Sequence, residues 1–483
     1  MVAGMDDHVG KTSAPGPETL TRLSAVVGER YAIADVSDMA PYLRELRDKY
    51  HGKAALVLRP GSTQEVSELL RIADETGTAM VPQSGNTGLV GGQIPFEHGR
   101  EVVLSLDRMN KIRNIDPVDN TITVDAGVTL QQVRDAASEV DRLFPLSLAS
   151  QGSCCIGGNL ATNAGGIGVL AYGSARQLCL GLEVVLADGR IWNGLRRLHK
   201  DNTGYDLKDM FIGSEGTLGV ITGAAVKLYP ATRDKAVAWT AVRDPQAALA
   251  LLEIARGNSS GEVTAMEIVP RVGVEISVKH AQTIDPLDDA HDWYALLELS
   301  GQGAPGTLMA DMEQVLEMAF EAGAVLDAVI AASQSQADEI WRIREALSDV
   351  QRLEGGSIKH DIAVPVSLTP EFIDRAVKAV MELVPGARPI PFGHLGDGNI
   401  HFNVSQPVDA DKDAFLANWE EMNKMVHAIV VELGGTISAE HGIGRMKRDL
   451  MSGVKSDVEL DLMRSLKLML DPNNILNPGK LLP

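Results

Sequence analysis

The chain has 483 residues, enough for two or three domains with a core each. Apolar residues make up 45% and charged ones 23%, ordinary proportions for a protein that folds by burying a core. Lys and Arg number 44 against 65 Asp and Glu, a net charge of −21, which argues against nucleic acid or anionic membrane surfaces as partners. Three cysteines, Cys154, Cys155 and Cys179, are too few for a disulfide framework and read as reduced thiols of a cytoplasmic protein. No stretch approaches the ~18 apolar residues of a membrane span. The first twenty residues carry no apolar run, so no signal peptide is expected, and 1–20 reads as a mobile tail.

In chain order, 54–59 is a short apolar strand ending in Pro60-Gly61. Ser62 or Thr63 then caps a helix with Val66, Leu69, Leu70 and Ala73 on one face, stopped at Gly77. A second strand, 79–82, makes this a β-α-β unit whose carboxyl end delivers the loop 82–92. That loop holds four glycines in eleven residues with Ser, Asn and Thr between them. Its exposed N–H groups and hydroxyls suit an anion such as a pyrophosphate. Strands 102–106 and 121–125 and a helix at 129–138 precede a second glycine cluster at 151–166. A hairpin turning at Asp188-Gly189 joins 182–187 to 190–192. The third glycine loop, 213–219, leads into a long strand at 220–229.

Pro230 and the charges of 233–235 mark a domain boundary. Beyond it strands at 236–242, 263–268 and 294–299 alternate with helices at 246–256, 309–322, 336–354 and 370–384. This is a second α+β domain. A last helix at 460–470 leads to a polar tail marked by Asn477-Pro478-Gly479-Lys480. There is no internal repeat.

Three constellations carry chemistry. The three glycine loops of the first domain suit one extended, partly anionic ligand such as a flavin dinucleotide. The second is Gly393-His394-Leu395-Gly396-Asp397-Gly398-Asn399-Ile400-His401-Phe402-Asn403 with Ser438-Ala439-Glu440-His441-Gly442. Asp397-Gly398 reads as a hairpin turn that sets His394 and His401 on its two arms. Two imidazoles and the Glu440 carboxylate are the ligand set of zinc or a similar divalent ion. His441, on the opposite side if its segment is extended, stays free as a base. In the third, Arg344 and Ser348 share a helix face at i, i+4 with Lys359 on the strand that follows. A solvated face and an anion clamp are both open there, and a strongly anionic protein with an anionic substrate needs such a local cationic pocket.

Together these motifs, from about His51 to Pro483, resemble the FAD-linked oxidases with a flavin domain of the vanillyl-alcohol-oxidase type. Ser84-Gly85-Asn86-Thr87-Gly88 is similar to the loop of the D-2-hydroxyglutarate branch. The resemblance implies an α+β fold: a two-part FAD-binding domain (21–230), an α+β substrate or cap domain with an antiparallel sheet (231–440), and a helical segment (441–483) returning to the FAD domain. It implies non-covalent FAD held by Pro82, Ser84, Gly85, Asn86, Thr87, Gly88, Leu89, Gly152, Ser153, Gly157, Gly158, Asn159, Thr162, Asn163, Gly166, Tyr172, Gly173, Glu215, Gly216, Gly219, Ile221 and Asn477. It implies a divalent metal, zinc being expected, on His394, His401 and Glu440, with His441 as catalytic base. Arg344, Ser348, Lys359 and Asn403 would bind the substrate, a D-2-hydroxy acid such as D-2-hydroxyglutarate or D-malate; Ser348 stands where the family's members usually have Thr. An electron-transfer flavoprotein or a quinone would accept the electrons, and a homodimer is compatible with the family. A D-lactate or glycolate dehydrogenase and an electron-transfer subunit without its own substrate are the alternatives.

Overall fold

The computed structural model describes residues 12–483. The tail expected at 1–20 falls mostly outside them, and the chain is already helical over Pro17–Val27. The chain divides into two compact units. One contains the residues up to Gly166, Gly173–Pro230 and Glu440–Pro483; the other contains Ile167–Tyr172 and Ala231–Ala439.

In the first unit the helix Thr63–Thr76 forms as its sequence demands. The Ser62 hydroxyl accepts the Glu65 N–H at 3.2 Å, and Gly77 closes the helix at φ 65°. Val66, Leu69, Leu70 and Ala73 are fully buried. The strands around it, Ala54–Leu58 and Met80–Gln83, do not pair with each other as a simple β-α-β unit would. Both run parallel to Glu101–Ser105, which lies between them. That strand is buried at all five residues, and the long connection through the glycine loop gives it the reach to enter the centre. The C-terminal segment joins the same sheet: the Ile475 carbonyl accepts the Met80 N–H at 2.7 Å, and the Asn477 N–H donates to Met80 O at 2.8 Å.

The second sheet of this unit is antiparallel, in the order Ile112–Asp116, Thr121–Asp125, Val220–Lys227, Cys179–Val185, Ile191–Gly194. Arg113 ties it together, donating to Asp125 at 2.6 Å and to Glu183 at 2.8 Å. Thr63 also donates to Glu183, at 2.7 Å, so the helix of the first sheet is fastened to the second.

The other unit is one seven-stranded antiparallel sheet. Its order is Val325–Ile330, Asp234–Val242, Trp293–Gly301, Glu262–Pro270, Arg388–His394, Asn399–Ser405, Ser357–Ala363. Successive side chains alternate between faces. Trp239, Ala265, Val269, Tyr294, Leu296, Ile390 and Phe392 form an apolar face with Val274 of helix Arg271–Ala281 and Trp341, Ile343 and Leu347 of helix Gln334–Val350. On the opposite face Phe402 meets Phe372 of helix Thr369–Leu383 ring to edge at 5.5 Å.

Glu354 fastens helix to sheet here. Its carboxylate accepts from Arg388 at 2.6 Å, Lys279 at 2.7 Å and His280 at 2.6 Å. Those hydrogen bonds, Arg388 foremost, hold its pKa down to about 2 against the opposing effect of burial. A carboxyl with a depressed folded pKa stabilises the fold above its unfolded value, and that contribution is lost as pH falls. We expect Glu354→Gln to destabilise the protein at pH 7 by on the order of 2 kcal/mol. Acid unfolding followed by circular dichroism should show the deficit shrinking between about pH 4.5 and 2. A variant with an unchanged acid limb would rule this anchor out.

Candidate active site

Direct partners across an antiparallel pair point to the same face. The register pairs Glu267 with His394, Phe392 with His401, His401 with Asp361, and Asn403 with Lys359. These residues therefore rise from the face of the sheet that helix Gln334–Val350 covers. The turn Leu395–Asp397 with Gly398 at φ 81° does set His394 and His401 on its two arms. Their rings lie 5.7 Å apart at 72°.

The segment that follows the sheet's edge brings the carboxylate. Thr436 and Ala363 exchange backbone hydrogen bonds, and the Ala439 N–H donates to Asp361 O, one peptide bond before Glu440. Donor atoms of His394, His401 and Glu440 then lie within 4.8 Å of one another. A second such group is Asp361, Glu440 and His441. The chain bends here rather than running extended, so His441 is not turned to the opposite side: its imidazole comes beside Asp361 and Glu440. His394 is buried, and His401, Glu440 and His441 are half-buried. Two imidazole nitrogens and a carboxylate oxygen converging in this way are a donor set that fits zinc.

Glu267, which no motif singled out, stands behind the cluster. Its Oε1 accepts from His394 Nδ1 at 2.5 Å and its Oε2 from Arg344 Nε at 2.6 Å. It is 1% exposed. Burial would raise its pKa, but His394 and Arg344, each hydrogen-bonded to it, hold it well below the usual carboxylate range, so it is a carboxylate. Its sequence signal was a single acidic residue inside the otherwise uncharged run 263–269.

Arg344 is thus not on a solvated helix face: it is 5% exposed, with its guanidinium carbon 4.8 Å from the centre of the Phe392 ring. Among the described residues its Nε bond to Glu267 is its one hydrogen bond. Ser348 is exposed one turn on, and its backbone carbonyl accepts from Lys359 Nζ at 3.4 Å. Asn403 is buried and donates to Gln351, itself fully buried, at 2.7 Å.

In the first unit the glycine loops touch one another. A Cβ on Gly85 would lie 2.1 Å from Ser153 O, one on Gly158 3.2 Å from Ser84 Cβ, and one on Gly216 3.2 Å from Pro82 Cγ. Residues 84–89, including Thr87, Gly88 and Leu89, stay half-buried, while Gly152 and Ser153 are exposed. Gly157 packs on Ala126, Gly166 (φ 115°) on Ser147 O, Gly173 on Gln177, and Gly219 on Val184, whose partner in the sheet is Ile221. Asn86 donates to Pro41 O and Arg44 O but leaves a buried Oδ1 unpartnered, and the Nδ2 of Asn159 is likewise buried and unpartnered. Thr162 and Asn163 hold their own loop together, through Gly158 O and through Ser174 and the Arg176 N–H. Asn477 is spent on backbone, donating to Gly92 O and Glu215 O at 2.9 Å each. Glu215 in turn accepts the N–H groups of Ile443 and Gly444 at 2.7 and 2.8 Å, just past His441. Tyr172 belongs to the second unit, at the end of a short helix whose Leu170 packs on Gly396. The half-buried cradle and its orphaned amides fit a polar, extended ligand.

The sequence matches the family model described as FAD linked oxidases, C-terminal domain, over residues 231–481, more than half of the chain. A second model, described as FAD binding domain, matches residues 54–194. The chain belongs to the FAD-linked oxidase family. Among its relatives is a protein named probable D-2-hydroxyglutarate dehydrogenase, mitochondrial, from Oryza sativa subsp. indica, 36% identical over 96% of this chain and 82% of that one. D-2-hydroxyglutarate dehydrogenase of Rattus norvegicus, also named mitochondrial, is 38% identical over 92% of this chain and 80% of its own length. A putative mitochondrial D-lactate dehydrogenase of Schizosaccharomyces pombe is 35% identical over 92% and 85%. In solved structures the fold is shared with p-cresol methylhydroxylase, at a TM-score of 0.73 and 18% identity over 96% of each chain.

These relatives overturn the cytoplasmic placement read from the cysteines, since they are named mitochondrial. A low count of buried thiols marks a reducing compartment and does not tell cytosol from mitochondrial matrix. Among the described residues no helix is long and apolar enough to cross a membrane.

For this FAD-linked oxidase the approach of Gly85 to Ser153 yields a prediction. The methyl group of Gly85→Ala would force the first two glycine loops apart, at a cost of about 1–3 kcal/mol. The purified variant should have a lowered melting temperature and lose much of its flavin absorbance. Full flavin content with an unchanged melting temperature would show that the loops do not depend on this contact.

Proposed function

We propose that the protein oxidises a D-2-hydroxy acid to the 2-oxo acid with FAD and a divalent metal, zinc, and that the acid is dicarboxylic, D-2-hydroxyglutarate or D-malate. The observation that carries this reading is the convergence of His394, His401 and Glu440 beside a base, His441, on the sheet face that also holds Arg344. When bound, the metal supplies a Lewis acid for the 2-hydroxyl and the flavin supplies the acceptor for the hydride. The metal would sit on His394, His401 and Glu440, and FAD on the three glycine loops.

The protein's own residues handle the proton and the orientation. His441 takes the hydroxyl proton through its imidazole. The Asp361 carboxylate beside it favours the imidazolium that results. Arg344 keeps its terminal N–H groups for an anion, since only Nε is committed to protein, and a guanidinium edge grips a carboxylate with two parallel hydrogen bonds. Lys359 and Ser348 complete this end, and Asn403, steadied by Gln351, lies on the same face. An electron-transfer flavoprotein or a quinone would be the final electron acceptor.

Anaerobic bleaching of the flavin tests the reading directly. The dicarboxylic D-acids should bleach it fast, and the L-enantiomers should not. Bleaching by D-lactate alone would keep the chemistry and move the protein to the monocarboxylic substrates. Arg344→Ala should lower kcat/KM for the dicarboxylic acids about 10–100-fold more than for D-lactate; equal losses would refute the remote clamp. His441→Asn should lower turnover about 10²–10⁴-fold while flavin and zinc stay bound. A variant that loses either cofactor would point instead to a structural His441.

A further inference from the structure

His394 comes from a hairpin strand and Arg344 from a helix, yet both end on one carboxylate. We propose that Glu267 is the positioning residue of the site, a two-ended acceptor that sets both the ligating tautomer of His394 and the direction of the Arg344 guanidinium. This inference rests on the reading of His394 as a metal ligand and of Arg344 as the clamp for the remote carboxylate.

The geometry leaves little freedom. Glu267 is the direct cross-strand partner of His394, so backbone pairing rather than a flexible side chain sets their separation. The 2.5 Å contact from Nδ1 to a carboxylate requires the proton on Nδ1 and turns the Nε2 lone pair to the metal cluster. On the other oxygen, the 2.6 Å bond from Nε and the stacking of the guanidinium over Phe392 fix its plane. The Nη1 and Nη2 edge then faces away from Glu267. Only a carboxylate side chain has two acceptor oxygens and no proton, and of the two such side chains glutamate is the one long enough to serve both partners.

Sharing one carboxylate also couples the two ends. An anion on the Nη edge draws Arg344 away from Glu267 electrostatically and leaves the carboxylate a stronger acceptor for His394. The imidazole becomes the more basic ligand, and metal and dicarboxylic acid bind with positive, reciprocal coupling.

Glu267→Gln isolates the role, because an amide has one acceptor oxygen and sets a donor NH₂ against either Nε or Nδ1–H. Competition with a chromogenic chelator should show zinc affinity lowered about 10–100-fold. At saturating zinc, KM for the dicarboxylic acid should rise about tenfold or more while that for D-lactate holds, so the preference for the dicarboxylic acid shrinks. Glu267→Asp keeps the charge but is one methylene too short for both partners; with flavin content confirming its fold, it should move both readouts in the same direction, by less. Glu440→Gln serves as the reference for the metal site. If it sheds zinc while both Glu267 variants bind zinc as tightly as the parent, the positioning role is wrong and the metal reading stands. If Glu440→Gln keeps its zinc, the metal reading fails and takes this proposal with it. Weakened zinc with an unchanged dicarboxylate preference would overturn the two-ended role.

Discussion

Strand register is the constraint on which the substrate end of this protein depends. Residues of the hairpin Arg388–His394 and Asn399–Ser405 alternate strictly between faces, and a slip of one residue would carry His394, His401 and Asn403 to the side that holds Phe372. Two glycines hold the register where no other residue fits. Gly398 turns the chain at φ 81° with its Cα so close to the neighbouring chain that a Cβ would lie 2.1 Å from Val364 O. Gly393, beside His394, has φ 147° and would place a Cβ 2.6 Å from Asn399 O. His394 and His401 are therefore fixed by backbone packing, which is what preorganisation of a site requires.

Burying the Arg344–Glu267–His394 chain is costly, because each charge gives up water. Well-packed apolar residues at these three positions would serve stability as well or better. The apolar cluster around Trp239, Tyr294, Phe392 and Trp341 already holds this side of the sheet together. What the buried charges contribute is direction: a carboxylate that can only accept, an imidazole forced into one tautomer, and a guanidinium held by one nitrogen with the rest of its edge unspent. The net charge of −21 sharpens the point. The dicarboxylic substrate proposed above would approach a repelling protein, and a few cations with their geometry fixed would supply the local attraction.

Much of this was legible in the sequence because it is local. The capped helix Thr63–Thr76, the hairpin turn at Asp188-Gly189 and the two arms carrying His394 and His401 each follow from residues within about one element length. The antiparallel cap sheet followed from resemblance, and the match over residues 231–481 agrees with it. Strand order was not legible. Nothing near residues 54–83 tells that Glu101–Ser105 will come between the two strands, because a strand finds its neighbours by burial across the whole sheet.

The same limit hid Glu267 and turned His441 the wrong way. Glu267 lies 127 residues before His394, and the two become neighbours only because Glu262–Pro270 and Arg388–His394 end up side by side. His441 was assigned a side on the assumption of an extended segment, whereas the chain bends as it leaves the sheet edge. The glycine loops carry a related lesson. Gly85, Gly158 and Gly216 were read as places where a ligand approaches the backbone, and in the structure each is also a place where one loop approaches another. Both uses need the missing Cβ, so composition cannot separate them.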